Sequence, residues 1–296
     1  MPFVSAYNAV GRVGHQFSQL FTAKHLSLLL PKFRYWHAPF EDGPKPGDKA
    51  AIWESFLGFG VGEETFDRRA RDRNRLRYLG ARTGPYKNGS DSRKLLALME
   101  RLPDDILFEI ADWGIGWWES WDWPDSRFTE VADFFYQKMQ ASPEYQATPL
   151  AYDRVQDKLQ VCVYRRTPSS FERFRSERRW CIPPTYYAGV WEHLKQQVGA
   201  ENLARPILFT QSGVEDFADP LWAPFDVWFA DDEYPAVFTA FKSCVECDLF
   251  IGSLGNTTGL VRTMRHERKT SIGVTGHGLY AQYPDGQNFT PEGLPA

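Results

Sequence analysis

The sequence lacks the features that mark secreted and membrane-spanning proteins. The chain has four cysteines, Cys162, Cys181, Cys244 and Cys247. These are too few for the disulfide framework of a secreted protein of 296 residues. Cys244 and Cys247 form one C-x-x-C with no second pair and no nearby histidine, which favours buried, reduced thiols over a redox or metal site. No signal pattern is present, and the longest apolar stretch, near Leu26–Leu30, is far too short to span a bilayer. We expect a cytoplasmic protein without an integral membrane segment.

An excess of positive charge is also missing. The chain has 34 Lys and Arg against 38 Asp and Glu, a formal net charge of −4, whereas nucleic-acid binding normally needs a basic surface. We therefore expect no nucleic-acid partner. Aromatic residues are abundant at 16%, with 11 Trp, and they can fill a core or stack on the flat faces of sugars.

Strand-like and helix-like segments alternate along the second half of the chain. Short apolar runs predict strands, and longer amphipathic segments predict helices. The predicted strands are Lys158–Tyr164, Ile207–Thr210, Asp248–Gly252 and Ser271–Val274, and the predicted helices are Tyr186–Val198, Val237–Val245 and Gly259–His266. This alternation is typical of a parallel, doubly wound sheet, in which ligands bind at the carboxyl ends of the strands.

The first half begins in the same manner. A short apolar run, Phe3–Tyr7, precedes a glycine-bearing turn, and later segments predict a helix over Ser92–Arg101 and a strand over Ile106–Ala111. Asp67–Arg82 holds seven arginines and predicts either a solvated helix face or a patch that faces an anion or acceptor. We predict an α/β fold of two Rossmann-like domains with a cleft between them, residues 1–148 and 149–296.

Three segments could contact one anionic ligand. Residues 9–21 read AVGRVGHQFSQLF, but they lack both the last glycine of G-x-G-x-x-G and the Gly-Lys of a P-loop. Arg165 and Arg166 end a predicted strand, and a guanidinium offers fixed, permanently charged donors that suit a diphosphate. After the strand near 250, the hydroxyl-rich turn Ser253–Thr258 leads into a helix, where backbone N–H groups can cradle phosphate.

In this order and spacing, the three segments resemble the GDP-fucose-dependent fucosyltransferase superfamily, which includes the α1,2-, α1,6- and protein O-fucosyltransferases. The matching motifs are Gly11-Arg-Val-Gly-His-Gln16, Val163-Tyr-Arg-Arg-Thr-Pro168 and Ile251-Gly-Ser-Leu-Gly-Asn-Thr257. The resemblance implies a GT-B fold and an inverting, metal-independent glycosyltransferase without a cofactor. It implies a GDP-sugar, GDP-fucose, as donor, and a glycan, a glycolipid or another hydroxyl as acceptor.

The resemblance also implies the roles of individual residues. Arg165 would hold the β-phosphate and neutralise the leaving GDP, while Arg166, counted with the donor-binding residues, would mainly support the fold. His15 would approach the reaction and is counted as catalytic. The remaining donor-binding residues would be Gly11, Gly14, Gln16, Ser253, Asn256 and Thr257.

The attacking hydroxyl must lose a proton, so a carboxylate or histidine near the reacting carbon would help. Glu172 follows Arg165 by seven residues and is the candidate base, with Asp112 and Glu119 as rivals. Residues 112–125 read DWGIGWWESWDWPD, and their irregular spacing of tryptophans predicts either an acceptor-facing aromatic wall or a packed plug. The acceptor-binding residues would be Asp112, Trp113, Trp117, Trp118 and Glu119.

Two other interpretations stay open. Val163 and Pro168 stand where the family pattern has His and Asp, which favours a module that binds a nucleotide-sugar or glycan without catalysis. Val227–Glu233 is an apolar run that ends in clustered carboxylates and resembles the metal-holding DxD element of GT-A transferases, with Asp231 and Asp232 as ligands. In the GT-B interpretation, the same segment is a polar loop that leads into the helix at Val237.

Overall fold

The chain divides into two compact units, Met1–Gln146 and Ala147–Ala296, and each contains its own predominantly parallel sheet. The sequence places this division two residues later, after residue 148. The computed structural model describes residues 1–7, 13–43, 49–65, 74–78, 92–110, 127–165, 182, 184–210, 217–229, 234–253, 256–266, 268–275 and 278–282.

The first unit is built on a four-stranded parallel sheet in the order β2-β1-β4-β3. Its strands are β1 (Phe3–Ala6), β2 (Arg34–Tyr35), β3 (Asn74–Tyr78) and β4 (Ile106–Ile110). Its helices are α1 (Val13–Leu29), α2 (Ile52–Leu57), α3 (Ser92–Glu100), α4 (Phe128–Ala141) and, at the division between the units, α5 (Pro143–Ala147).

Strands β1 and β4 are the central neighbours of this sheet. They end side by side, with Ala6 opposite Ile110, and the N–H of Tyr7 donates to the Ile110 carbonyl oxygen at 2.7 Å. Both strands therefore end at the same edge of the sheet; in the sequence, the glycine turn follows β1 and the tryptophan-rich segment follows β4. Ligands of parallel sheets bind at this edge.

Aromatic rings fill the core of the first unit. Phe17 and Phe21 of α1 pack against Phe135 of α4, with ring centroids 5.2 and 6.2 Å apart, and Phe59 lies 4.8 Å from Phe135. All four side chains are almost fully buried. These four aromatic residues therefore serve packing.

The second unit is built on a six-stranded sheet in the order β10-β9-β8-β5-β6-β7, parallel except for β10. Its strands are β5 (Val161–Tyr164), β6 (Ile207–Thr210), β7 (Asp226–Phe229), β8 (Leu249–Ile251), β9 (Thr270–Thr275) and β10 (Gly278–Gln282). Its helices are α6 (Pro184–Val198), α7 (Ala236–Glu246) and α8 (Asn256–Arg265), with 3₁₀ turns at Ala200–Asn202 and Pro220–Trp222.

The order of these strands is that of a nucleotide-binding Rossmann unit. Strand β5 is central, the chain proceeds outward through β6 and β7, and it then returns to the other side of β5 as β8 and β9. The direction of winding reverses between β5 and β8, and crevices at such reversals hold nucleotides. The predicted α/β fold class with two Rossmann-like units is confirmed.

The strands and helices predicted in the second unit are confirmed, with ends that shift by up to three residues. Helix α6 begins at Pro184, where a missing N–H and a fixed φ suit the first helical position. The prediction of a loop over Val227–Glu233 is wrong for Val227–Phe229. These residues belong to the edge strand β7, which pairs with β6.

The solvated-helix interpretation of residues 67–82 is wrong for Asn74–Tyr78. These residues form β3, which pairs in parallel with β4 along its whole length. The alternation of Arg75 and Arg77 with Leu76 and Tyr78 fits the two-residue period of a strand, and this pairing overrides the charge pattern.

The cysteines pack inside the second unit. Cys162, Cys244 and Cys247 are free and buried, which confirms the prediction of reduced thiols for these three; Cys181 lies outside the described residues. Burial raises the pKa of the Cys162 and Cys244 thiols well above the ordinary value. The buried guanidinium of Arg265 donates to the Cys247 carbonyl oxygen at 2.7 Å and so ties the end of α7 to α8.

Candidate functional site

The candidate site lies where the two central strands of the second unit end. Val163 of β5 pairs with Ile251 of β8 in the last register position. Arg165 and Ser253 each follow two residues later, so the two strands deliver them to the same edge of the sheet. The carboxyl ends of β5 and β8 lie at this edge. The direction of winding reverses between these two strands, and nucleotides bind at such reversals.

Arg165 is fixed by its backbone and carries unsatisfied donors. Its N–H donates to the Phe209 carbonyl oxygen at 3.0 Å, which extends the β5–β6 pairing by one residue. The side chain is half-buried, and its Nε and Nη1 have no hydrogen-bond acceptor among the described residues. A buried, charged donor without an acceptor is costly, so this guanidinium is suited to an anionic ligand.

Two aromatic rings lie next to the Arg165 guanidinium. Its central carbon lies 5.2 Å from the ring centroid of Phe217 and 5.1 Å from that of Trp222. No pattern in the sequence predicted that either ring would lie beside Arg165. A proline after Asp219 did signal a capped turn at this point, but nothing in the sequence linked that turn to Arg165.

Helix α8 approaches the end of β8 very closely. A Cβ added to Gly252 would lie 2.4 Å from the Cγ2 of Thr258, a distance that real contacts do not reach. Ser253 is buried, and α8 starts three residues later at Asn256. The N–H groups of the first turn of this ten-residue helix carry partial positive charge, as a phosphate site requires.

Two threonines of that first turn differ in their surroundings. Thr257, which the sequence assigns to the donor, is half-buried, whereas Thr258 is 3% exposed. The Oγ1 of Thr258 is buried and has no hydrogen-bond partner within the described part of the chain. Arg165, Ser253 and the start of α8 therefore lie at one edge of the sheet, together with Thr258, while their roles in binding a donor stay predictions.

In the first unit, Gln16 anchors a loop. Its Nε2 donates to the Glu41 carbonyl oxygen at 2.6 Å, and its Oε1 accepts the N–H of Glu41 at 2.8 Å. Gln16 is fully buried, so its amide fixes residues 38–43 beside the start of α1. Gly14 is buried and His15 is half-buried in the same helical turn.

A buried hydrogen-bonded chain supports the same loop. The hydroxyl of Tyr35 lies 3.0 Å from Nδ1 of His37, and Nε2 of His37 lies 2.6 Å from Oε1 of Glu54. The other oxygen of Glu54 accepts the N–H of Phe40 at 3.1 Å. Burial raises the pKa of Tyr35 well above its ordinary value, and the nearby carboxylates act in the same direction. The loop that follows β2 is therefore held from two sides.

Several predicted site residues lie outside the described residues, so their roles stay predictions. They are Gly11, Arg166, Glu172, the acceptor set Asp112, Trp113, Trp117, Trp118 and Glu119, and the alternative metal ligands Asp231 and Asp232. Among the residues that the structure does describe, no group of three His, Cys, Asp or Glu side chains could hold a metal ion. A helix able to cross a membrane is likewise not found in the described ranges.

Comparison with known proteins gives distant structural neighbours. No family model matches the sequence, and no curated protein matches it. A crystal structure of POFUT1 in complex with GDP is 13% identical with a TM-score of 0.43, over 89% of this chain and 94% of that one. The POFUT1 apo-form is 13% identical with a TM-score of 0.44, over 92% and 97%.

A second group of neighbours consists of heptosyltransferases. E. coli heptosyltransferase WaaC with ADP is 13% identical with a TM-score of 0.39, over 93% of this chain and 87% of that one. At these identities and TM-scores, the functional proposal rests on this chain's own residues.

Proposed function

We propose that this chain is an inverting, metal-independent glycosyltransferase that uses a nucleotide-sugar donor. GDP-fucose is the donor that the sequence motifs imply, and the acceptor is a hydroxyl of a glycan or glycolipid. The observation that carries the proposal is Arg165, which lies at the reversal of winding in a Rossmann unit and whose Nε and Nη1 have no acceptor among the described residues.

The proposed site supplies what a sugar-diphosphate requires. In the reaction, the acceptor oxygen forms a bond to the anomeric carbon while the bond from that carbon to the diphosphate oxygen breaks. The electron pair leaves with the nucleoside diphosphate, whose charge Arg165 would stabilise without a metal ion. The first turn of α8, with Ser253 and Thr257, would bind phosphate or ribose oxygens.

The acceptor proton requires a base in the first unit or in the segment after Arg165. Glu172 and His15 are the sequence-based candidates, and Asp112 and Glu119 are their rivals. Gln16 would act on this step indirectly, because its two hydrogen bonds to Glu41 fix the loop beside the first turn of α1. We propose that this fixed loop helps to position the acceptor for the displacement.

A binding module without catalysis is the second candidate. It is favoured by Val163 and Pro168, which replace the His and Asp of the family pattern on either side of Arg165. The third candidate, a metal-dependent transferase that uses Asp231 and Asp232, predicts turnover that depends on a divalent cation.

Donor turnover by the purified chain, with and without EDTA, separates these candidates. We expect hydrolysis of GDP-fucose, or transfer from it, to continue unchanged in EDTA. Turnover that is abolished by EDTA and restored by Mn²⁺ would contradict the proposal in favour of the metal-dependent transferase. Saturable binding of GDP with no turnover of any nucleotide-sugar would identify a binding module.

A further inference from the structure

In the part of the chain that the structure describes, the guanidinium of Arg165 contacts ring faces and not carboxylates. Its central carbon lies 5.1 Å from the ring centroid of Trp222 and 5.2 Å from that of Phe217. Within the described residues, Nε and Nη1 of Arg165 have no hydrogen-bond acceptor, so no carboxylate occupies these two donors. A cation attracted to ring faces keeps both its charge and its N–H donors, whereas a carboxylate partner would occupy the donors and cancel the charge.

The rings themselves are firmly placed. Trp222 is 2% exposed, and its ring packs 5.7 Å from Tyr187 of α6 and 5.3 Å from Phe217, between centroids. Trp222 ends a 3₁₀ turn that starts after Asp219, whose carboxylate accepts the N–H of Leu221 at 2.9 Å. The crossover between β6 and β7 therefore presents a rigid aromatic surface to the end of β5.

We propose that Phe217 and Trp222 are positioning residues for Arg165. They form an aromatic platform that orients the guanidinium toward a nucleoside diphosphate and leaves its positive charge uncompensated. This inference rests on the proposed function, because it assigns the diphosphate as the ligand of Arg165. It goes further in naming the side chains on which the affinity for that diphosphate depends.

The test is the dissociation constant of GDP, with UDP and ADP alongside, measured by calorimetry on the full chain. Trp222→Leu should weaken the tightest of these diphosphates about tenfold, which corresponds to ~1.4 kcal/mol. Binding of the matching nucleoside, which lacks phosphate, should stay unchanged. Trp222→Phe restores an aromatic face and should recover part of the affinity.

Phe225→Leu is the matched control. Phe225 is buried, and its ring contacts Trp222 at 5.7 Å between centroids, in the same part of the core. The structure records no contact between its ring and Arg165 among the described residues. A purely structural effect of Trp222 would appear equally in Phe225→Leu, which we expect to keep the wild-type dissociation constant.

A double-mutant cycle shows whether the effect passes through Arg165. In an Arg165→Ala background, Trp222→Leu should have no further effect on diphosphate binding. A folded Trp222→Leu variant with wild-type affinity, or an equal loss in both backgrounds, would overturn the platform while the proposed function stands. If Trp222→Leu fails to fold, the half-buried Phe217→Leu gives the same test. A wild-type chain that binds none of the three diphosphates would overturn both proposals.

Discussion

At the scale of single residues, Arg165 is distinguished by what surrounds it. Most partly buried arginines pair with carboxylates, which satisfy the guanidinium donors and neutralise its charge. Arg165 instead meets the rings of Phe217 and Trp222 and retains two unsatisfied nitrogens among the described residues. Such an arrangement costs folding stability, and it is retained at sites where a ligand supplies the missing acceptors.

Gly252 is the second residue on which the site depends, because α8 passes so near the end of β8. Gly252→Ala should destabilise the chain by about 1–3 kcal/mol, the usual cost of overpacking, since the new Cβ would meet the Thr258 methyl at 2.4 Å. Chemical denaturation measures this change in the free energy of unfolding.

Thr258→Ser provides the control for this prediction. It removes the methyl group and keeps the hydroxyl, so the Gly252→Ala/Thr258→Ser pair should regain part of the lost stability. A single Gly252→Ala variant as stable as the wild type, or a pair with no recovery, would show that the close approach of α8 is not what requires glycine.

Single residues also mark the limit of what the sequence could predict. Arg165 and Ser253 were found because each follows an apolar strand, and strand ends are where parallel sheets bind ligands. Phe217 and Trp222 were missed because their contact with Arg165 joins positions more than fifty residues apart through the β6–β7 crossover. No local pattern encodes such a contact.

At the scale of elements, the buried parallel strands were the easiest to predict. Strands β5, β6 and β8 are short apolar runs between turn residues, as expected for strands that are covered on both faces. Strand β3 was not predicted because its arginines are typical of a solvated helix face. Strand β7 was not predicted because of the carboxylates that follow it. Both lie at the edge of their sheets, where burial is weaker and the apolar signal fades.

The contact between α1 and the loop after β2 gives a prediction at this scale. Gln16→Leu keeps the volume of the side chain but removes both of its hydrogen bonds to Glu41. Buried hydrogen bonds that are lost in this way cost about 1–3 kcal/mol, so hydrogen exchange at the Glu41 amide should accelerate by roughly tenfold or more.

Asp42→Ala is the control on the same loop. It removes an exposed hydrogen bond, in which Asp42 Oδ1 accepts the Ala51 N–H at 3.0 Å, and we expect a much smaller effect. Unchanged exchange at Glu41 in Gln16→Leu would mean that the loop is held by the Tyr35–His37–Glu54 chain alone, and Gln16 would lose its positioning role.

At the scale of the whole molecule, each of the two units is built on a predominantly parallel sheet, and we propose that the units have different roles. The second unit has the strand order of a nucleotide-binding domain, and it holds Arg165, two of whose nitrogens have no acceptor in the described ranges. In the first unit, the two central strands lead into the glycine turn and the tryptophan-rich segment, which we assign to the acceptor side. A transferase with separate donor and acceptor sites would require two such roles.

The measurement that tests the central claim most directly is the binding of GDP to the wild type and to Arg165→Ala, by calorimetry, with guanosine as the phosphate-free comparison. We predict saturable GDP binding to the wild type and a loss of roughly 10- to 100-fold in Arg165→Ala, since charged hydrogen bonds contribute about 1.5–3 kcal/mol. Guanosine should bind both proteins equally. An Arg165→Ala variant that binds GDP as tightly as the wild type would contradict the account.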